Sequence, residues 1–297
     1  MSLKLDYLPA GESFLDPFRA DAGDPASARA VVIPFGLEAS VSYGGGTAAG
    51  PAAILAASHQ LELYDDELEC EPYLRYGVAA IREPAIARPV DAALAQLQDL
   101  VEAVLDTGKF PLVLGGEHTL TVAPVRALAA RHKDLVVLQL DAHADLRNGY
   151  QGEHFSHAAA MRRLLDNANV SLVSAGIRAV SKEEVEFYQA NSDRITIHWA
   201  KDQARWDIDA MLAPLAGRPL YLTFDIDALD ASVMPATGTP TPGGLSYDTA
   251  LEIVRRACKT SNVVGADLVE FAPIQGLHAC DYTAAAIAYK LLSYALR

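Results

Sequence analysis

Short apolar runs alternate with stretches of helical periodicity along most of this 297-residue chain. The runs Ala30–Phe35, Phe110–Leu114, Leu135–Leu140, Val170–Ala175, Ile195–His198, Leu220–Phe224 and Val263–Val269 are nearly continuous rather than alternating, and predict strands buried on both faces. Between and around them, spacing near 3.6 residues predicts helices at Pro51–Leu61, Arg88–Thr107, Thr119–Arg131, Ser156–Asp166, Ile208–Leu215, Tyr247–Lys259 and Tyr282–Leu296. Pro51 suits a first helical turn, and Ser181 with Glu183 and Glu184 behind it opens one more helix. This alternation predicts an α/β fold, a three-layer αβα arrangement around a mainly parallel sheet. The Gly- and Pro-rich stretches Tyr43–Pro51 and Pro235–Gly244 read as loops within one domain covering residues 1–297.

Composition narrows the class. Hydrophobic residues make up 51% of the chain, enough for a large core, and no apolar run reaches the length of a membrane span. The opening residues lack the apolar core of a secretion signal, and Asn169-Val170-Ser171 is then a chance sequon. Cys70, Cys258 and Cys280 form no CxxC pair and read as reduced thiols, so a cytoplasmic location is expected. With 24 basic and 38 acidic residues the net charge is −14, which argues against nucleic acid as a partner and favours small cations.

The candidate chemistry stands at strand ends. Asp141-Ala142-His143-Ala144-Asp145 follows one apolar run and Asp225-Ile226-Asp227 follows another. In extended chain, residues two apart point the same way at roughly 6.6 Å spacing, so each cluster presents its polar groups as a set. Carboxylates at the end of a buried strand carry a heavy desolvation cost unless a cation compensates them. His118, after Gly115-Gly116, completes six candidate ligands: His118, Asp141, His143, Asp145, Asp225 and Asp227. That set suits two divalent metals sharing carboxylates, and its oxygen-rich, thiolate-free make-up favours Mn²⁺ over Zn²⁺. Asp-x-His-x-Asp alone is equally well a turn with a surface histidine; the combination carries the reading. His59, His132, His198 and His278 lack acidic clamps and read as surface or packing residues, while His154 and His157 are ambiguous on composition alone. The glycine run Gly44–Gly46 lacks the Lys-Ser/Thr of a phosphate loop, and no nucleophile elbow occurs.

Taken together, Gly115-Gly116-Glu117-His118-Thr119, Asp141–Asp145 and Phe224-Asp225-Ile226-Asp227-Ala228-Leu229-Asp230 resemble the three signatures of the ureohydrolase family of arginases and agmatinases. Ala236–Pro240, Pro242–Leu245, Asp267–Glu270 and Tyr43–Pro51 extend the likeness, which is nearest to the agmatinase branch. The resemblance implies an arginase-like fold and two Mn²⁺ per subunit. One ion would be held by His118, Asp141, Asp145 and Asp225, the other by Asp141, His143, Asp225 and Asp227. It further implies that Glu270 accepts the guanidinium, that Asp145 orients the attacking water, and that His157 protonates the leaving amine. Thr239 would contact substrate through its backbone, and Arg147 and Glu153, the latter near the pocket mouth, are further substrate-binding candidates. The implied reaction is hydrolysis of agmatine to putrescine and urea by a homotrimer or homohexamer. Arg147 leaves a carboxylate-bearing substrate such as 4-guanidinobutyrate open, and other guanidino or formimino compounds, or a non-catalytic binding protein on the same fold, are the alternatives. Two departures from the family pattern, Ala231 after Leu229-Asp230 and Thr47-Ala48 where many relatives carry arginine, bear on substrate shape rather than metal binding.

Overall fold

In the computed structural model, which describes residues 3–19, 21–22 and 24–297, every expected apolar run is a strand. The strands are β1 (Ala30–Phe35), β2 (Val78–Ala80), β3 (Phe110–Gly115), β4 (Leu135–Leu140), β5 (Val170–Ile177), β6 (Ile195–Trp199), β7 (Pro219–Asp225) and β8 (Asn262–Val269). They form one sheet in the order β2-β1-β3-β8-β7-β4-β5-β6, with every pairing parallel. The helices are α1 (Gly50–Ser58), α2 (Tyr73–Tyr76), α3 (Val90–Asp106), α4 (Val122–Ala129), α5 (Ala160–Leu164), α6 (Lys182–Ala190), α7 (Ile208–Leu212), α8 (Tyr247–Thr260) and α9 (His278–Ala295).

Alternate residues of each central strand feed two separate cores, as the period of a strand requires. Leu112, Leu138, Leu222 and Leu268 pack with α1, α7, α8 and α9 on one face. Val113, Val137, Tyr221 and Val269 pack with α3, α4 and α5 on the other. This is the expected three-layer arrangement. Several elements differ in detail. The expected helices from Thr119 and Ser156 begin as 3-10 turns, at His118–Thr121 and His157–Ala159, because both starts are tied to loops across the sheet edge. The last helix starts at His278, four residues before the expected Tyr282. Strand β2 was not expected, since three residues make no run to recognise.

Connections decide where a site can form. The chain leaves β3 and β4 toward the α4–α5 face, but leaves the neighbouring β8 and β7 toward the α8–α9 face. Loops therefore diverge at the carboxyl ends of β3/β8 and β7/β4, opening a crevice at the middle of the sheet. Gly116 lets the chain turn into it: a Cβ there would lie 2.1 Å from the Leu37 carbonyl oxygen. That close approach lets Glu117 N–H bond the same carbonyl at 2.7 Å, and His118 follows directly into the crevice.

Candidate metal centre

Four adjacent strands deliver the centre. His118 comes from the turn after β3, Asp141, His143 and Asp145 follow β4, Asp225 ends β7 with Asp227 just beyond, and Glu270 follows β8. Asp145 (φ 52°) and Glu270 (φ 62°) both adopt left-handed backbone without being glycine. Such conformations cost on the order of 1–3 kcal/mol and persist where the surroundings enforce them.

His118 Nδ1 lies 3.1 Å from Asp141 Oδ2, 3.0 Å from Asp145 Oδ2 and 3.2 Å from Asp225 Oδ2. It is buried, yet has no hydrogen-bond partner of good geometry among the described residues. The other ring nitrogen, Nε2, is 2.9 Å from Thr223 Oγ1, a contact that engages Nε2 and turns Nδ1 toward the three carboxylates. An imidazole nitrogen ringed by three buried carboxylate oxygens calls for a positive charge between them, a proton or a metal ion. His143 Nδ1 lies 3.0 Å from Asp227 Oδ2 and 3.7 Å from Asp141 Oδ1. Ligand atoms of His118, Asp141 and Asp145 lie within 4.8 Å of one another, as do those of Asp141, His143 and Asp227. The two triads share Asp141, so the residues would fit two ions with Asp141 common to both candidate sets. Asp225 faces the first triad through Oδ2 while its Oδ1 accepts the Asp227 N–H at 2.9 Å.

The electrostatics agree. Burial, aided by the charge of Asp141, raises the Asp145 carboxyl to about 7. Burial and the neighbouring Asp227 and Asp141 carry Asp225 well above its ordinary value. Burial would lower the two imidazoles, but Asp227 and Asp141 push His143 up to about 12, and the three carboxylates around His118 raise it strongly. Asp141, which burial alone would raise, is held below the usual carboxylate range by His118 and His143. Imidazole protons thus occupy the role that divalent ions compete for.

A supporting layer fixes these candidate ligands. Gln139 Nε2 donates to Asp141 Oδ2 at 2.7 Å and to the His143 carbonyl at 3.1 Å, while its Oε1 accepts the Ser174 hydroxyl at 2.6 Å. Behind Thr223, the fully buried Asp267 accepts from Thr121 at 2.8 Å and Tyr221 at 2.7 Å. Sequence reasoning missed Gln139; its only signal is one polar residue inside the apolar run Leu135–Leu140.

Above the ligands opens a cleft of about 210 Å³ lined by His143, Asp145, Asp225, Asp227, Glu270 and His157, and also by Thr239, Arg147, Tyr150 and Tyr43. Glu270 accepts the His118 backbone N–H at 2.7 Å, and burial raises its carboxyl to about 8. His157 is gripped at both ring nitrogens, with Ser40 Oγ 2.7 Å from Nδ1 and Ser42 Oγ 2.7 Å from Nε2. Burial, with the charges of His143, His118 and Arg147, lowers it to about 4. Arg147 Nε stands 3.9 Å from Glu184 Oε2, and its guanidinium lies 5.3 Å from the Tyr150 ring centre. Glu153 does not join the set. It is exposed in the turn closed by its backbone bonds with Tyr150, and it does not line the cleft. His154 contacts Arg163 instead of the cleft. The glycine loop is no phosphate cradle, because Glu38 already accepts the N–H groups of Gly46 and Ala48 and the Thr47 hydroxyl.

A parallel α/β sheet carrying this carboxylate-rich centre at its carboxyl edge defines a metal-dependent hydrolase of the binuclear class. The chain belongs to the arginase family, which it matches over residues 28–294, and it is a ureohydrolase, a hydrolase of guanidino compounds. It is 36% identical over 280 residues to N(1)-aminopropylagmatine ureohydrolase of Synechocystis sp., covering 91% of this chain and 90% of that one. It is 37% identical over 258 residues to agmatinase of Bacillus anthracis, covering 84% and 86% of the two chains. Among solved structures, agmatine ureohydrolase of Thermoplasma volcanium superposes with a TM-score of 0.81 at 30% identity, over 91% of this chain and 90% of that one.

Proposed function

We propose that this ureohydrolase cleaves agmatine to putrescine and urea with two Mn²⁺ ions held by His118, Asp141, His143, Asp145, Asp225 and Asp227. The observation that carries this reading is the cleft in which Glu270 faces the same space as Asp145, Asp225, Asp227 and His143. Acids at its base suit a planar cation, and Glu270 can accept two guanidinium N–H groups side by side. Two divalent ions held by these residues would lower the pKa of water and supply the nucleophile at neutral pH. Asp145 orients that water toward the guanidinium carbon. Thr239 bounds the cleft and offers its backbone to the guanidinium. His157 gives a proton to the departing amine nitrogen as the C–N bond breaks.

Arg147 favours a second reading. Glu184 is too far from it for a hydrogen bond and already accepts the N–H groups of Leu146 and Ser181. A guanidinium so weakly partnered in the cleft wall suits a substrate with a carboxylate at its far end, such as 4-guanidinobutyrate. The test is to supply Mn²⁺-loaded protein with agmatine, N1-aminopropylagmatine, arginine, 4-guanidinobutyrate, 3-guanidinopropionate and formiminoglutamate, and to assay urea and formamide. Urea chiefly from agmatine is the expected result. Faster turnover of 4-guanidinobutyrate would replace it with the second reading.

A further inference from the structure

The histidine proposed as proton donor is held by a buried acid that the reaction above does not use. Glu117 is 1% exposed. Its Oε2 accepts the N–H groups of Ala39 at 2.6 Å and Ser40 at 2.5 Å, and its Oε1 accepts the Ser40 hydroxyl at 3.1 Å. Ser40 Oγ in turn accepts the His157 backbone N–H at 3.1 Å and lies 2.7 Å from His157 Nδ1. A serine hydroxyl has one hydrogen, and a carboxylate taking two backbone N–H groups only accepts. The Ser40 hydrogen therefore points to Glu117, and Nδ1 must be the donor toward Ser40. This leaves the lone pair on Nε2, where Ser42 Oγ sits 2.7 Å away on the cleft side. Ser42 is exposed, so that bond can exchange for one to substrate or water.

We infer that Glu117 and Ser40 are positioning residues that fix His157 in its Nδ1–H tautomer, making Nε2 the atom that serves the leaving amine. The inference rests on the reading of His157 as proton donor. In the step itself the Nε2–H bond breaks and an N–H bond forms on the departing nitrogen. That nitrogen keeps the electron pair of the broken C–N bond, and His157 regains its proton from water. The chain from Nδ1–H through Ser40 to Glu117 works against the burial and neighbouring cations that lower His157 to about 4, and so favours the transient imidazolium. Because Glu117 adjoins His118, one peptide unit sets both a metal ligand and the proton donor.

The test is a cycle of Ser40→Ala, Glu117→Gln and His157→Ala in Mn²⁺-loaded enzyme, using whichever guanidino compound is turned over. Ser40→Ala is expected to lower kcat about 10- to 100-fold, a part of what a general acid contributes, with little change in KM or metal content. It should have no further effect in the His157→Ala background, and Ser40→Thr should restore most of the rate. Additive losses, or loss of metal, would overturn the inference while leaving His157 as donor. A wild-type rate in His157→Ala would remove the donor assignment and the inference with it. A readout without turnover uses ¹⁵N spectra of histidine rings in the full chain with Mg²⁺ in place of the paramagnetic ion. His157 should show the Nδ1–H tautomer in the wild type and a mixture in Ser40→Ala and Glu117→Gln. Persistence of the single tautomer in both variants would sink the proposal whatever the substrate.

Discussion

Asp141 is the residue on which both triads depend, and its two oxygens are held by different means. Oδ1 accepts the His143 N–H at 2.6 Å, and Oδ2 accepts from Gln139 at 2.7 Å. Gln139→Leu keeps the volume but leaves Asp141 and the Ser174 hydroxyl without their buried partner. Its expected cost is about 1–3 kcal/mol in urea unfolding, and metal affinity should fall roughly 10- to 100-fold. Titrating metal back into chelator-treated protein reads the second effect, and unchanged affinity would show that Asp141 needs no such support. Asp225→Asn is expected to remove metal and turnover together, since it takes negative charge from the ring around His118 Nδ1; metal analysis beside a urea assay decides it. The candidate ligands stood out in the sequence because each cluster sits within five residues of a strand end. Gln139, Ser40 and Glu117 were not, because Ser40 meets His157 across 117 positions and no local pattern encodes that meeting.

Among the elements, α6 links stability to the site. Ser181 accepts the Glu184 N–H, and Glu184 returns the bond to the Ser181 N–H, closing a capping box. Glu184 also accepts the Leu146 N–H at 3.0 Å, so the same acid anchors the chain just after Asp145. Ser181→Ala should lower stability by about 1 kcal/mol and spare turnover, whereas Glu184→Ala should lower both. Equal turnover in the two variants would contradict the anchoring role. The loop Pro235–Gly244 has a comparable clamp in Asp230, which accepts from Ser232, Gly243 N–H and Gly244 N–H. Those hydrogen bonds hold its carboxyl below the ordinary range. A depressed folded pKa gives stability that is complete above the unfolded value of about 3.9 and is lost as pH falls through the folded one. The gap in urea midpoint between wild type and Asp230→Asn should therefore be constant near neutrality and narrow only below about pH 4. Seven strands were readable from their apolar runs, and Ser181 marked α6, because burial and capping write local patterns. The sheet order was not readable: β3 and β8 pair across about 150 residues, and the switch points that open the crevice exist only once that pairing forms.

For the whole molecule, the buried acids make metal a part of stability. Ions that bind only the folded chain stabilise it by about 2.7 kcal/mol at a hundredfold excess over Kd, so chelation should lower the melting temperature and Mn²⁺ should restore it. Net charge allows a sharper test of substrate. At −14 the molecule surrounds its cleft with a field that draws in a dication such as agmatine but exerts no net pull on zwitterionic 4-guanidinobutyrate. Raising ionic strength from about 0.01 to 0.1 M shortens the screening length from about 30 to 10 Å. Remote acids then stop contributing, whereas Glu270, inside the cleft, is screened far less. The KM for agmatine should rise severalfold over that range with kcat steady, because the bound complex no longer feels the outer field. The KM for 4-guanidinobutyrate should stay flat. If agmatine showed no salt dependence while 4-guanidinobutyrate bound more tightly at low salt, the local charge of Arg147 would outweigh the field of the whole molecule, and the far end of the true substrate would be an anion.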